Sequence, residues 1–164
     1  MNITSIKIKG TPQQGLMAAT IGFFIGFAAV SLFGVTASKL QNVLGVSPFA
    51  MGFLISAPVL SGSLLRIPFA AWVDVDGGRK PFLLLLSLSI IGMSGLYYLV
   101  SHYYPDGLNA GHYPLLVLLG ILSGCGIATF SVGASQVSYW FPQRKQGREL
   151  GLFGGLGNLA PGIF

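Results

Sequence analysis

The sequence places one cation inside an apolar run: Arg66, in SGSLLRIPFAAW, with no acidic residue within seven positions on either side. An arginine at the centre of a membrane helix costs about 2.5–3.5 kcal/mol on insertion scales, and such residues usually face a protein interior and mark a pathway. Two readings compete. The side chain can snorkel, because Trp72 at the end of the run is only six residues on, roughly 9 Å at 1.5 Å per residue. Alternatively, the guanidinium contacts an anion that comes and goes. The acidic residues favour the second reading: Asp74, Asp76, Asp106 and Glu149 all lie outside the apolar runs proper, so none pairs with Arg66 within one. Pro58 and Pro68 share the run. Each frees a backbone carbonyl, which membrane helices tolerate where neighbours or cavity water satisfy it.

Two other stretches offer chemistry. GGLGNLAPGIF, residues 154–164, sets Asn158 among Gly154, Gly155, Gly157 and Gly162. An amide in lipid is costly unless it is paired, and its two N–H groups suit an anion. Close helix packing explains the glycines equally well, through the G-x-x-x-G of Gly151 and Gly155. It explains Asn158 only if a neighbouring helix holds an acceptor. GILSGCGIATFSVGASQVS carries Gly120 and Gly124, again G-x-x-x-G, with Phe130 as its one aromatic. Packing is the default for this run, and on spacing alone Phe130 faces lipid or core more readily than a site.

These side chains must be held by membrane helices. Hydrophobic residues make up 52% and charged residues 8% of the 164, with a mean hydropathy of +0.73; a soluble domain carries about a quarter charged residues. Set against the roughly 20 residues of a helical crossing, apolar runs read as spans over 16–37, 49–72, 81–100, 113–139 and 149–164. The last is just short of a full crossing. The first is too long and glycine-rich for a signal-peptide core, and no A-x-A site follows it. Lys7, Lys9, Arg79, Lys80, Arg144, Lys145 and Arg148 fall on one side of this pattern and only Lys39 on the other. The positive-inside rule then makes residues 1–15 a cytoplasmic tail and puts HYYPDGLNAGHY outside. The fold expected is an all-α transmembrane helix bundle with its N-terminus in the cytoplasm. Its odd, incomplete fifth span makes 16–164 part of a six-helix unit of something longer, as in transporters built from helical repeats.

The net charge of +5 forms no basic stripe, so nucleic acid is not a partner. The single Cys125 excludes an internal disulfide framework and a cysteine-only metal site. His102 and His112, ten residues apart without a carboxylate cluster, read as solvated loop residues rather than metal ligands. No Ser/His/Asp set, phosphate loop or metal-ligand cluster points to an enzyme or a cofactor. GGLGN lacks the preceding strand and the following acidic residue of a dinucleotide motif.

Three stretches resemble the nitrate/nitrite porter family of the major facilitator superfamily. GGLGNLAPGIF is similar to that family's glycine-rich nitrate signature in the fifth span. SGSLLRIPFAAWVDVDGGRK resembles its second span and the loop that follows, where a substrate-binding arginine precedes I-P. FPQRKQGRELG resembles its loop between the fourth and fifth spans. The resemblance covers about Leu44 to Phe164. In the loop after the second span Asp74 and the GGRK end are kept, but Ala70 replaces the first glycine and Val75 the usual arginine. The usual loop-to-helix charge network is therefore expected to differ.

The resemblance implies the N-terminal half of a secondary transporter of nitrate and/or nitrite in the plasma membrane, the bacterial inner membrane. It implies that Arg66 holds the anion, Phe130 packs on its flat face, Asn158 lines the site, and Gly155 and Gly157 let the fifth span approach. It also implies a C-terminal half that supplies a second arginine and rocks against this one, no cofactor, and a monomer when full length. The chain by itself is not expected to transport. The chemistry agrees: nitrate is planar, and a guanidinium offers paired donors that lysine cannot, while aromatic walls favour flat anions over tetrahedral sulfate or phosphate. The absence of a carboxylate within these spans leans towards nitrate/nitrite exchange over proton symport. The alternatives are a transporter of another small anion in the same superfamily, a channel, which would need a ring of cations, and a non-transporting membrane fragment.

Overall fold

The computed structural model of the chain describes residues 10–164. Lys7 and Lys9, and most of the expected cytoplasmic tail, lie outside the described residues. The order is α1 (Pro12–Lys39), α2 (Gln41–Leu44), α3 (Pro48–Asp76), α4 (Arg79–Tyr103), a 3-10 turn (Ala110–His112), α5 (Tyr113–Trp140), α6 (Gln143–Gly157) and α7 (Ala160–Ile163). Four helical stretches are long and apolar enough to cross a membrane: α1, α3, α4 and the stretch from Ala110 through Trp140. They run past the apolar runs at most ends, and polar side chains cap the starts of two of them. Thr11 forms a capping box with Gln14 (3.0 and 3.3 Å) ahead of Pro12. Ser47 caps α3 through the Ala50 amide at 3.2 Å, and Gly77, at φ 78°, ends it in a conformation that favours glycine.

α6 differs most from the expectation of a span opening near Glu149. It begins six residues earlier, at Gln143, so the basic QRKQGR stretch is helical. Gln146 ties this turn down, its side-chain amide donating to the carbonyls of Ser138 (2.8 Å) and Phe141 (3.0 Å). The helix then breaks at Asn158 and Leu159, because Pro161 lacks the N–H that would reach back to Gly157.

α5 is the hub. Its apolar window is 61% buried, against 39% for α1 and 28% for both α3 and α4. Close approach here needs missing side chains: a Cβ on Gly126 would strike the backbone of Gly26 in α1, and one on Gly124 the Pro58 carbonyl in α3. For this span the packing reading of G-x-x-x-G holds. Hydrogen bonds join the same surfaces: Ser61 of α3 donates to Ile121 O at 3.0 Å, and Ser89 of α4 to Ser123 O at 3.0 Å. Cys125 is buried in this packing. Two apolar clusters result, one around Phe33, Leu54, Leu96 and Leu116, the other around Phe23, Phe82, Val132 and Phe153.

The alternation of helices brings the start of α1, the α3–α4 turn and the α5–α6 turn to one end, where Arg79, Lys80, Arg144, Lys145 and Arg148 lie. There Asp74 accepts a hydrogen bond from the Tyr139 hydroxyl at 2.7 Å, joining the ends of α3 and α5. Asp76 accepts from Trp72 (3.0 Å) and pairs with Lys80 (3.2 Å). The network expected to differ from the superfamily pattern thus uses a tyrosine hydroxyl on Asp74, while Val75 is 83% exposed. At the opposite end His112 Nδ1 lies 3.2 Å from Asn109 Oδ1 and His102 Nδ1 lies 3.1 Å from Tyr98 O.

Candidate functional site

Arg66 lies four residues beyond Gly62, the middle of α3, so it is about 6 Å along the axis from the helix centre and roughly 15 Å from the Asp76 end. Its guanidinium does not reach along the helix to that end. It lies over Phe130 of α5, with Cζ 5.3 Å from the ring centroid. Arg66 Nε is buried and has no hydrogen-bond partner. A cation over an aromatic face gains about 0.5–2 kcal/mol, whereas a buried unpaired donor costs about 1–3 kcal/mol. The ring therefore offsets only part of the cost, and the guanidinium retains donor capacity for an anion.

Phe130 is itself held by aromatics from two other helices. Phe153 of α6 stacks on it (5.7 Å between centroids, 23° between planes) and Phe23 of α1 meets it at 5.2 Å and 56°. Phe23 also packs on Phe27 (5.5 Å) and Phe153 (5.4 Å). Two glycines make room. A Cβ on Gly133 would strike the Phe153 ring, and one on Gly157 would fall inside the Phe23 ring. The floor beneath Arg66 is thus a cluster of phenylalanines contributed by α1, α5 and α6.

The expected site residues fall into two groups. Arg66 and Phe130 are brought into contact, and Gly157 lets α6 approach α1 as the glycine reading requires. Gly155 and Asn158 are exposed, and no hydrogen bond joins Asn158 to Arg66. A Cβ on Gly155 would meet no atom within 4 Å. The acceptor for Asn158 comes from its own helix: its amide nitrogen donates to Gly154 O at 2.7 Å. A Cβ on Gly154 would lie 4.0 Å from Cε2 of the Phe130 ring, beside the Phe153 ring that stacks on it. Asn158 therefore sits one helical turn beyond the ring's edge.

Sequence reasoning missed Phe23, Phe27 and Phe153. A signal was present. Phe23 and Phe27 lie one turn apart on α1, and Phe153, like Phe130, is an aromatic among glycines, which is where a large ring finds space beside a thin helix face.

Residues 19–164 match the profile of the Major Facilitator Superfamily. The chain belongs to the major facilitator superfamily. Within it, the chain is 34% identical over 148 residues to the probable nitrate/nitrite antiporter NarK1 of Thermus thermophilus, covering 90% of this chain and 31% of that protein. It is 29% identical over 158 residues to the nitrate/nitrite transporter NarU of Salmonella typhimurium (96% and 33%). It is 27% identical over 157 residues to the probable nitrate transporter NarT of Staphylococcus haemolyticus (96% and 37%). The chain spans about a third of the length of these superfamily relatives.

Proposed function

We propose that this chain forms the N-terminal part of a secondary transporter of nitrate and/or nitrite, and that Arg66 and Phe130 make its half of the anion site. The observation that carries the reading is the Arg66 guanidinium over the Phe130 ring, with Nε unpaired and no carboxylate in contact. A planar anion can lie in the plane of the guanidinium fork, two oxygens taking paired N–H donors, while a ring face bars the tetrahedral oxygens of sulfate or phosphate. The matched relatives, named as nitrate or nitrate/nitrite transporters, support this choice of anion.

Asn158 contributes from the edge of the site, where its second N–H and its side-chain oxygen are not used by the bond to Gly154 O. The anion is enclosed when a C-terminal half supplies the opposing wall and a second cation, and transport follows from the two halves rocking about it. This reading is of a carrier, and no step in it needs bond chemistry. The absence of a carboxylate at Arg66 favours nitrate/nitrite exchange over proton coupling.

The test is uptake of labelled nitrate and release of nitrite by cells that lack their own nitrate transporters and express the full reading frame containing this segment. Arg66→Lys, which keeps the charge but removes the fork, is expected to abolish flux while the protein stays in the membrane. Normal flux in that variant would overturn the assignment.

A further inference from the structure

We propose that a cleft at the basic end of the bundle, between α1, α4 and the end of α5, binds an anionic phospholipid of the cytoplasmic leaflet. The cleft has a volume of about 430 Å³ and includes none of Arg66, Phe130 or Asn158. Its polarity is graded. Gln14, Arg79, Gln136 and Trp140 stand at its mouth, whereas Ala18, Leu83 and Leu86 line its depth. Leu83 lies four residues into α4, Ala18 six into α1 and Leu86 seven into α4, so the apolar part begins about 6 Å below the helix starts and reaches to about 10 Å. That is the step from headgroup to acyl chain. Leu83 is 54% exposed, so the cleft opens sideways towards lipid rather than only towards water.

The charge at the mouth is unbalanced. No carboxylate lines the cleft, and the two nearby carboxylates are engaged elsewhere: Asp76 with Lys80 and Trp72, Asp74 with Tyr139. Arg79 is left exposed at the rim, outside the ion pair that its neighbour Lys80 makes. A guanidinium, an indole N–H and two carboxamides are a donor set for a phosphate diester. Tryptophan favours the membrane interface, and basic pockets between helices on the cytoplasmic side take anionic headgroups. A soluble phosphate would satisfy Arg79 but leave the apolar floor unfilled; a phospholipid fills both. The site is independent of the Arg66 reading and would regulate the stability of the bundle end rather than bind cargo.

Native mass spectrometry of the purified chain with equal phosphatidylglycerol and phosphatidylcholine tests this. Phosphatidylglycerol adducts are expected to predominate and to fall about fivefold in Arg79→Gln, the loss of one basic contact to an anionic headgroup. They should fall similarly in Ala18→Phe, which fills the cleft, and stay unchanged in Arg144→Gln, a cation at the same end outside it. Circular dichroism checks that Ala18→Phe stays helical. Equal binding of both lipids, an equal effect of Arg144→Gln, or full binding by Arg79→Gln would overturn the proposal. So would displacement of the lipid by inorganic phosphate, which would make the site a free-anion site. A several-fold rise in lipid binding on deleting residues 1–9 would assign the cleft to the chain's own N-terminus and overturn it as well.

Discussion

In α5, Gly124 lies against the Pro58 carbonyl of α3 and Gly126 against Gly26 of α1, whereas in α6 a Cβ on Gly147, Gly151 or Gly155 would meet no atom within 4 Å. Both helices carry G-x-x-x-G, so the motif alone does not say whether its face is filled. The difference is what each helix touches. α5 is clamped on its glycine side by α1, α3 and α4, and at Gly124 and Gly126 it meets the backbone of its neighbours. α6 is attached by its other side, through its buried residues Phe153 and Gly157. Both belong to the phenylalanine cluster under Arg66. The wall of the candidate anion site is therefore also the joint that holds α6 to the bundle, and a shift of α6 cannot leave the Phe130 ring undisturbed.

The sharpest way to break this comparison is to put the same side chain on both faces. Gly126→Leu should leave no monodisperse helical protein in detergent, because two backbones would have to separate. Gly151→Leu should melt within about 0.5 kcal/mol of the unaltered chain, as surface substitutions do. Size-exclusion profiles and circular-dichroism melts read both. Equal tolerance would mean that the α1–α5 approach is looser than described.

Phe153→Ala comes next. It should cost about 3 kcal/mol, the low end for this truncation because lipid already solvates apolar surface. It should also weaken nitrate binding without touching Arg66, whereas Phe153→Leu should restore most of both. Gly157→Ala is expected to cost about 1–3 kcal/mol by pushing on the Phe23 ring, while Gly155→Ala two residues away changes neither the melt nor binding. Tyr139→Phe should have the smallest effect, a slight loss of melting temperature with nitrate binding unchanged, since Asp74 keeps access to water at the bundle end.

Arg66 was legible in the sequence because a charge in an apolar run has few explanations, and the spans because their length and the loop charges agree. Phe130 rose above an ordinary core phenylalanine only through the resemblance, since its own spacing does not say that α3 passes over it. Phe23 and Phe153 carried only a weak signal, large rings beside thin helix faces. Their role depends on which faces of α1 and α6 meet, and α1 shows apolar residues all round while α6 turns apolar only after Glu149. The six residues of α6 that precede the apolar run are not legible as helix because QRKQGR is polar, yet Gln146 satisfies the ends of the α5–α6 turn and lets the helix begin at Gln143. Asn158 was expected to line the anion site; its amide bonds Gly154 O of its own helix beside the break before Pro161.

The most direct measurement is the linewidth of ¹⁵N-nitrate titrated with the chain in lipid nanodiscs, which reports even weak binding. Saturable broadening is expected, displaced by nitrite but not by sulfate, and lost in Arg66→Lys with helicity unchanged. Broadening that survives Arg66→Lys, or that sulfate displaces as well as nitrite does, would contradict a planar-anion site built from the Arg66 guanidinium and the Phe130 ring.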